Sequence, residues 1–201
     1  MNGFNENQMD ALKEIVSIGA GNAATALSQL LHQKVNIAVP TVNLTTIDKA
    51  QDVFGEPETL VVAVYLQLLG DATGVILVSF RRDEALRLSD ILLGREPGKT
   101  KMLHEIEESA LKESATILIG AYLGALAKIL KMRLLVSAPA TAQDMAGAVV
   151  DNILIEISKE ADYTLVIDTE LKIIDEKVVT YFFFIPDKDS LGKIFDAIGV
   201  K

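Results

Sequence analysis

Two carboxylates head the residues that could do chemistry in this chain of 201 residues. Glu14 sits in "LKEIVSIGAGNAATAL" (residues 12–27) and Glu113 in "LKESATILIGAYLGAL" (residues 111–126), 99 positions apart. The same spacing surrounds both. Asp10, Glu14 and Ser17 are followed by 22 residues and then Pro40; Ser109, Glu113 and Thr116 are followed by 22 residues and then Pro139. On a helix wheel of about 100° per residue, Asp10, Ser17, Gly21, Thr25 and Ser28 fall within about 60° of Glu14. Ser109, Thr116, Gly120, Gly124 and Ala127 flank Glu113 in the same way. Leu12, Val16, Gly19, Ala23, Leu27 and Leu30, and in the second stretch Leu111, Ala115, Leu118, Tyr122 and Leu126, gather on the opposite, buried side. Each glutamate therefore points outward from a strip of small residues, where a solvated helix face would carry Lys, Glu, Arg and Gln. Glycine inside a helix costs roughly 1 kcal/mol relative to alanine, and a small-residue strip leaves room for another surface to approach. Ile18 and Ile117 lie about 40° from their glutamates on this polar side, as an apolar contact would require. The chemistry on offer is a carboxylate acceptor beside a short hydroxyl with a single donor, on a face open to docking. Two plainer readings stand beside it. A Glu with Ser or Thr three residues later is commonplace on a helix, and Gly120 and Gly124 serve equally well for close packing inside the fold.

The elements that hold these residues repeat. Residues 5–31 read as a long helix, with Asn5 and Gln8 resembling a capping box. Strands follow at 34–39 and 42–47 around Pro40, then a short helical or irregular link. Two β-branched, apolar strands at 59–69 and 73–80 form a hairpin around Gly70-Asp71. A helix over "RDEALRLSDILLG" is stopped by Gly94. "GREPGKT" (residues 94–100) is a linker. The order then recurs: a helix over 103–131, a strand "RLLVSA" leading into Pro139, a helix over about 143–159, two apolar strands turning at Asp175-Glu176, and a last helix ending at Gly199. Leu86 and Gly94 match Leu191 and Gly199 at an offset of 105, so the second half gains about six residues, placed in its middle helix. The reading is an α+β fold with an internal duplication: one domain over 1–201, built of repeats of about 1–94 and 101–201 related by a pseudo-twofold axis. The two long helices pack side by side on a mixed or antiparallel sheet whose strands are apolar on both faces and so covered on both. "YFFFI" (residues 181–185) reads as a buried central strand, "EIEESA" (105–110) as a solvated first helical turn, Pro40 and Pro139 as turn or strand-edge residues, and His32 and His104 as surface residues.

Composition narrows the function. Half of the residues are hydrophobic, 23% are charged and the net charge is −9, which describes a globular acidic protein with a surface that repels phosphate backbones. Nucleic acid is excluded as a partner on that ground. With no Cys and two His, there is neither a disulfide framework nor a Cys/His zinc site, and no metal site is expected. "MNGFNENQMD" lacks the basic and apolar regions of a signal peptide. The longest mostly apolar stretch, 116–130, is shorter than the roughly 20 residues of a membrane span. The expectation is a soluble, cytoplasmic protein with no membrane insertion.

The spaced pattern, with Asn in its third place, resembles the active-site motif of the CheC/CheX/FliY family of chemotaxis phosphatases, and "IGAGNAATAL" strengthens the likeness to its CheC-like members. The resemblance spans nearly the whole chain. It implies a hydrolase of two-component signalling that removes the aspartyl-phosphate of a CheY-type response regulator. It implies that Glu14 and Glu113 contact a Lys of the regulator, that Ser17 and Thr116 stand where the water-orienting Asn would be, and that Asp10, Ile18, Gly21, Ser109, Ile117 and Gly120 form the docking surface. It implies no cofactor in this chain, because the Mg2+ belongs to the regulator, and it names the receptor deamidase CheD as a further partner. An acyl phosphate is already activated, so orienting one water in line is most of what an outside protein must add. The departure is Ser17 and Thr116. A hydroxyl has a shorter arm than an amide and fewer donors, so docking is kept twice while water orientation is altered twice. Two readings follow: a phosphatase of reduced activity, or a non-enzymatic binding module of the same fold that captures phosphorylated regulator or regulates CheD. FliM-type switch proteins, which resemble this fold without the motif, make the second plausible. Asn22, about 80° from Glu14 on the wheel and matched by Ala121, is a poor substitute for the missing amide.

Overall fold

The computed structural model describes residues 6–39, 41–157, 163–173 and 175–198. Apolar residues at helical spacing give α1 (Glu6–Leu31) and α3 (Glu105–Leu130), each of 26 residues. Both end in the same way: His32 and Lys131, 99 positions apart, take left-handed backbone angles (φ 52° and 53°) that turn the chain sharply into the next strand. After α1 come β1 (Val35–Ala38), β2 (Val42–Thr46), a 3-10 helix (Ile47–Phe54), the hairpin β3 (Leu60–Gly70) and β4 (Gly74–Arg81), and α2 (Arg82–Leu92). After α3 come β5 (Leu134–Val136), β6 (Ala140–Met145), α4 (Ala146–Ile157), the hairpin β7 (Tyr163–Ile173) and β8 (Glu176–Pro186), and α5 (Lys188–Ile198).

All described strand pairs are antiparallel and join in one sheet of order β1-β7-β8-β4-β3-β5, with β2 also on β7 and β6 also on β3. The hairpins meet at the centre, where β4 pairs β8 from Gly74↔Pro186 to Ser79↔Tyr181. The short strands do not pair with their own half. β1 and β2 run end to end along β7, and β5 and β6 run end to end along β3. Both halves are thus stitched into one sheet by exchanged edges.

Strand side chains alternate between two covered faces. Val62, Val64, Leu66, Ile76, Val78, Phe182 and Phe184 meet α1, α3, α2 and α5. Val61, Ala63, Val75, Leu77, Phe183 and Ile185 meet the 3-10 helix and α4. This explains the unbroken apolar runs and buries "YFFFI" in the centre, with Phe182 stacked edge-on against Tyr122 at 4.8 Å. Leu12, Val16, Leu111 and Tyr122 are buried as expected.

Five sequence expectations need correction. The helix expected over 143–159 begins later: residues 140–145 form β6, pairing Ala140–Met145 with Tyr65–Leu60, and α4 starts at Ala146. The rest of that expected helix, 158–159, lies outside the described residues. The first turn of α3 is not wholly solvated. Glu107 is buried, paired with Arg95 at 2.7 Å, and accepts the His104 backbone N–H at 2.9 Å; these contacts hold its carboxyl below the usual range. Leu30, assigned by the wheel to the buried side of α1, is 45% exposed, because the last turn of the helix runs past the neighbours that cover its middle. The linker expected at 94–100 is an ordered loop, wrapped on the buried Asp90. Burial alone would raise that carboxyl, but hydrogen bonds from the Thr100 hydroxyl and the N–H groups of Thr100, Gly98 and Lys99 prevail and hold it low. Finally, α3 as a whole is long and apolar enough to cross a membrane by length and composition, but half of its most apolar window is buried here, against α1 and the sheet. Asn5, Pro40 and Gly199 lie outside the described residues. α4, with 12 residues against eight in the 3-10 helix, accommodates part of the extra length of the second half.

Candidate functional site

α1 and α3 form the outer layer over one face of the sheet, and their close approach sets where the motif residues stand. A Cβ on Gly19 would lie 2.5 Å from Cδ1 and 2.9 Å from Cα of Tyr122, so this glycine lets the two backbones nearly touch. Further back along α1, Ala11, Glu14, Ile15 and Ile18 share a groove with Ile129, further on along α3. Contacts therefore recede along one helix as they advance along the other, and the two are antiparallel. By contrast, nothing lies within 4 Å of a Cβ built on Gly21, Gly120 or Gly124. The packing alternative for Gly120 and Gly124 is thus set aside by open space, and the close-packed glycine is Gly19.

The residues singled out from the sequence stand in the open. Asp10, Glu14, Ser17, Ile18 and Gly21 on α1 are exposed, as are Ser109, Glu113 and Gly120 on α3, while Thr116 and Ile117 are half-buried. Asp10 is held by Lys13 at 3.6 Å, a solvated pair worth under about 1 kcal/mol and easily exchanged for another partner. Ile18 keeps 46% of its surface exposed, a large apolar side chain next to an outward carboxylate. Pro139 is half-buried between β5 and β6, where the Ser137 N–H bonds the Gln67 carbonyl at 3.0 Å.

The third motif position is where the structure adds most. Ser17 Oγ donates to the Lys13 carbonyl at 2.7 Å, and Thr116 Oγ1 donates to the Lys112 carbonyl at 2.7 Å. In both copies the single hydroxyl proton is turned back onto the helix one turn earlier, a habit of mid-helix Ser and Thr. What remains outward is a pair of lone pairs. Each hydroxyl can accept a hydrogen bond from a water but has no proton left to give one. Asn22 is exposed on α1 and no structural feature brings it over Ser17.

Beside Glu14 lies a groove of about 310 Å³, lined by Ala11, Glu14, Ile15 and Ile18 of α1, Ile129 of α3 and Ala197 of α5. The sequence did not single out Ile129 or Ala197. A wheel assigns Ile129 to the buried side of α3, yet it is 41% exposed in the groove between α1 and α5, an arrangement of distant elements that no local pattern states. Among the described residues, no group of three or more His, Asp and Glu side chains is placed to hold a metal ion.

A profile described as the CheC-like family matches residues 8–44, the first motif helix through β2. The chain is 36% identical to the CheY-P phosphatase CheC of Bacillus subtilis, over 98% of this chain and 97% of that one. It is 31% identical to the flagellar motor switch phosphatase FliY of the same organism, over 68% of this chain and 35% of that longer protein. Among solved structures, Thermotoga maritima FliY superposes with a TM-score of 0.80, covering 99% of this chain and 98% of that one at 21% identity, a likeness of fold.

Proposed function

Since the chain belongs to the CheC-like family, we propose that it docks on the phosphorylated receiver domain of a CheY-type response regulator and hastens loss of its aspartyl-phosphate. The observation that carries this reading is the pair of outward glutamates, each on an open small-residue strip, in a chain related over nearly its whole length to a CheY-P phosphatase. In the bound state Glu14 or Glu113 accepts a charged hydrogen bond from a regulator Lys, and the small residues let the two backbones come close. The Mg2+ is the regulator's own. Hydrolysis then requires a water in line with the phosphorus–oxygen bond to the aspartate. Water attacks phosphorus, the aspartate carboxylate leaves, and inorganic phosphate departs. Ser17 or Thr116 contributes by accepting one of that water's hydrogens through its free lone pairs.

A second reading, a docking module with little turnover, is favoured by one observation: both hydroxyls already spend their proton on the helix backbone. A hydroxyl reaches about 1 Å less far than an amide, and a misplacement of that size can cost on the order of 10²-fold in rate. The deciding experiment measures phosphate loss from a phosphorylated regulator, with and without this protein, alongside binding of the two. Faster decay supports the phosphatase; binding with unchanged decay supports the docking module; no binding sinks both. CheD as a partner belongs to the second reading, and co-purification with a CheD homologue is its test.

A further inference from the structure

The two motif copies raise a question the function alone does not answer: whether one molecule serves two regulators at once. Gly19 and Tyr122 mark the level at which α1 and α3 meet. Glu14 lies five residues before Gly19 on α1, and Glu113 nine residues before Tyr122 on α3. Because the helices are antiparallel, these offsets point in opposite directions and add. At about 1.5 Å per residue, the glutamates stand roughly 20 Å apart along the helix pair. Both project from the outer surface of the same two-helix layer.

A regulator needs more room than that. A specific protein interface at the lower end of the standard range covers about 600 Å² on each partner, a disc of radius about 14 Å, and an average one reaches about 16 Å. Two such discs centred little more than about 20 Å apart still overlap along their facing edges. A partner of only about 100 residues has a radius of gyration near 13 Å, so two bodies seated side by side also collide above the surface. The apolar surface shows why a footprint spreads across both helices. The groove at Glu14 takes one wall, Ile18, from α1 and the other, Ile129, from the last turn of α3. Leu30, 99 positions before Ile129 and in the last turn of α1, is likewise 45% exposed. The Glu14 seat thus borrows the end of the other motif helix, and the antiparallel register brings Leu30 to the level of Glu113.

We infer that the two copies are alternative, mutually exclusive seats for a single receiver domain, an inference that rests on the docking function proposed above. The chain then has two ways to bind one regulator, and its association constant is the sum of those of the two seats. Isothermal titration with the regulator charged with beryllofluoride and Mg2+ tests this. The wild-type protein should saturate at one regulator per chain. Glu14→Gln and Glu113→Gln should each still bind one, and their two association constants should add up to the wild-type value within about twofold. Binding of two regulators per chain would overturn the exclusivity and leave the docking function standing. One single variant binding like wild type while the other does not bind would also overturn it, since only one seat would then be real. Absence of any binding to wild type would instead refute the docking function, and this inference with it.

Discussion

Replacing Ser17 with Asn is the sharpest test of how this helix face works. Ser17 is exposed, and its hydroxyl donates to the Lys13 carbonyl at 2.7 Å. The substitution gives up that bond, but the carbonyl stays within the helix ladder, and Asn and Ser have similar helix propensities; the fold should barely respond. The amide extends one bond further than the hydroxyl and is too long to fold back on Lys13 in the same way. It regains about 1 Å of reach, together with an acceptor and two donors. If the bound regulator is already seated correctly, that shift should quicken decay of its phosphate by roughly 10- to 100-fold, with 1.4 kcal/mol of barrier for each tenfold. Thr116→Asn should act in the same direction, less cleanly, because Thr116 is half-buried. The assay follows decay of phosphorylated regulator at fixed protein concentration, wild type against each variant and the double variant, with binding measured in parallel. A fast wild type unchanged by Asn would show the hydroxyls to be competent as they stand. Unaltered binding with no acceleration in any variant would refute the water-orienting role of this position.

Other outcomes follow from the same geometry. Glu14→Gln combined with Glu113→Gln should weaken binding to phosphorylated regulator at least tenfold, since a hydrogen bond to a charged group is worth about 1.5–3 kcal/mol; unchanged affinity by titration calorimetry would make the repeated face structural. Gly19→Ala should destabilise the fold by about 1–3 kcal/mol, because the new methyl meets Tyr122 Cα at 2.9 Å where overpacking has no outlet. Gly120→Ala, with open space around it, should instead stabilise by up to about 1 kcal/mol and weaken docking; thermal melts and binding curves separate the two. Asp90 has a depressed pKa when folded, so its contribution is fully present above the unfolded value of about 3.9 and is lost as pH falls through the folded one. Asp90→Ala should therefore lower Tm by roughly 4 °C or more at pH 7, and the gap to wild type should narrow below about pH 4; a constant gap would show that the ionised carboxylate is not what holds the 94–100 loop.

What was legible in the sequence is whatever depends on local period and local chemistry. The 3.6-residue spacing of Leu12, Val16, Leu111 and Tyr122 dictated which side of each motif helix is buried, and with it that Glu14 and Glu113 face outward. Apolar runs on both strand parities announced a sheet covered on two faces, and Gly70-Asp71 its first hairpin. Only the tertiary structure could decide the rest, because it depends on partners distant in the chain. "ATAQDM" carries good helix formers, and it becomes strand β6 because β3, about 80 residues earlier, offers it an open edge. The exchange of edge strands between the halves leaves no local trace. Nor does the difference between Gly19, pressed on Tyr122, and Gly21, Gly120 and Gly124, which face open space: all four are glycines in a helix, and only the position of the opposite backbone tells them apart. The inward turn of the Ser17 and Thr116 hydroxyls is the intermediate case. The residue types permit it, but which acceptor each takes is settled once the helix is built and its outer face left without a neighbour.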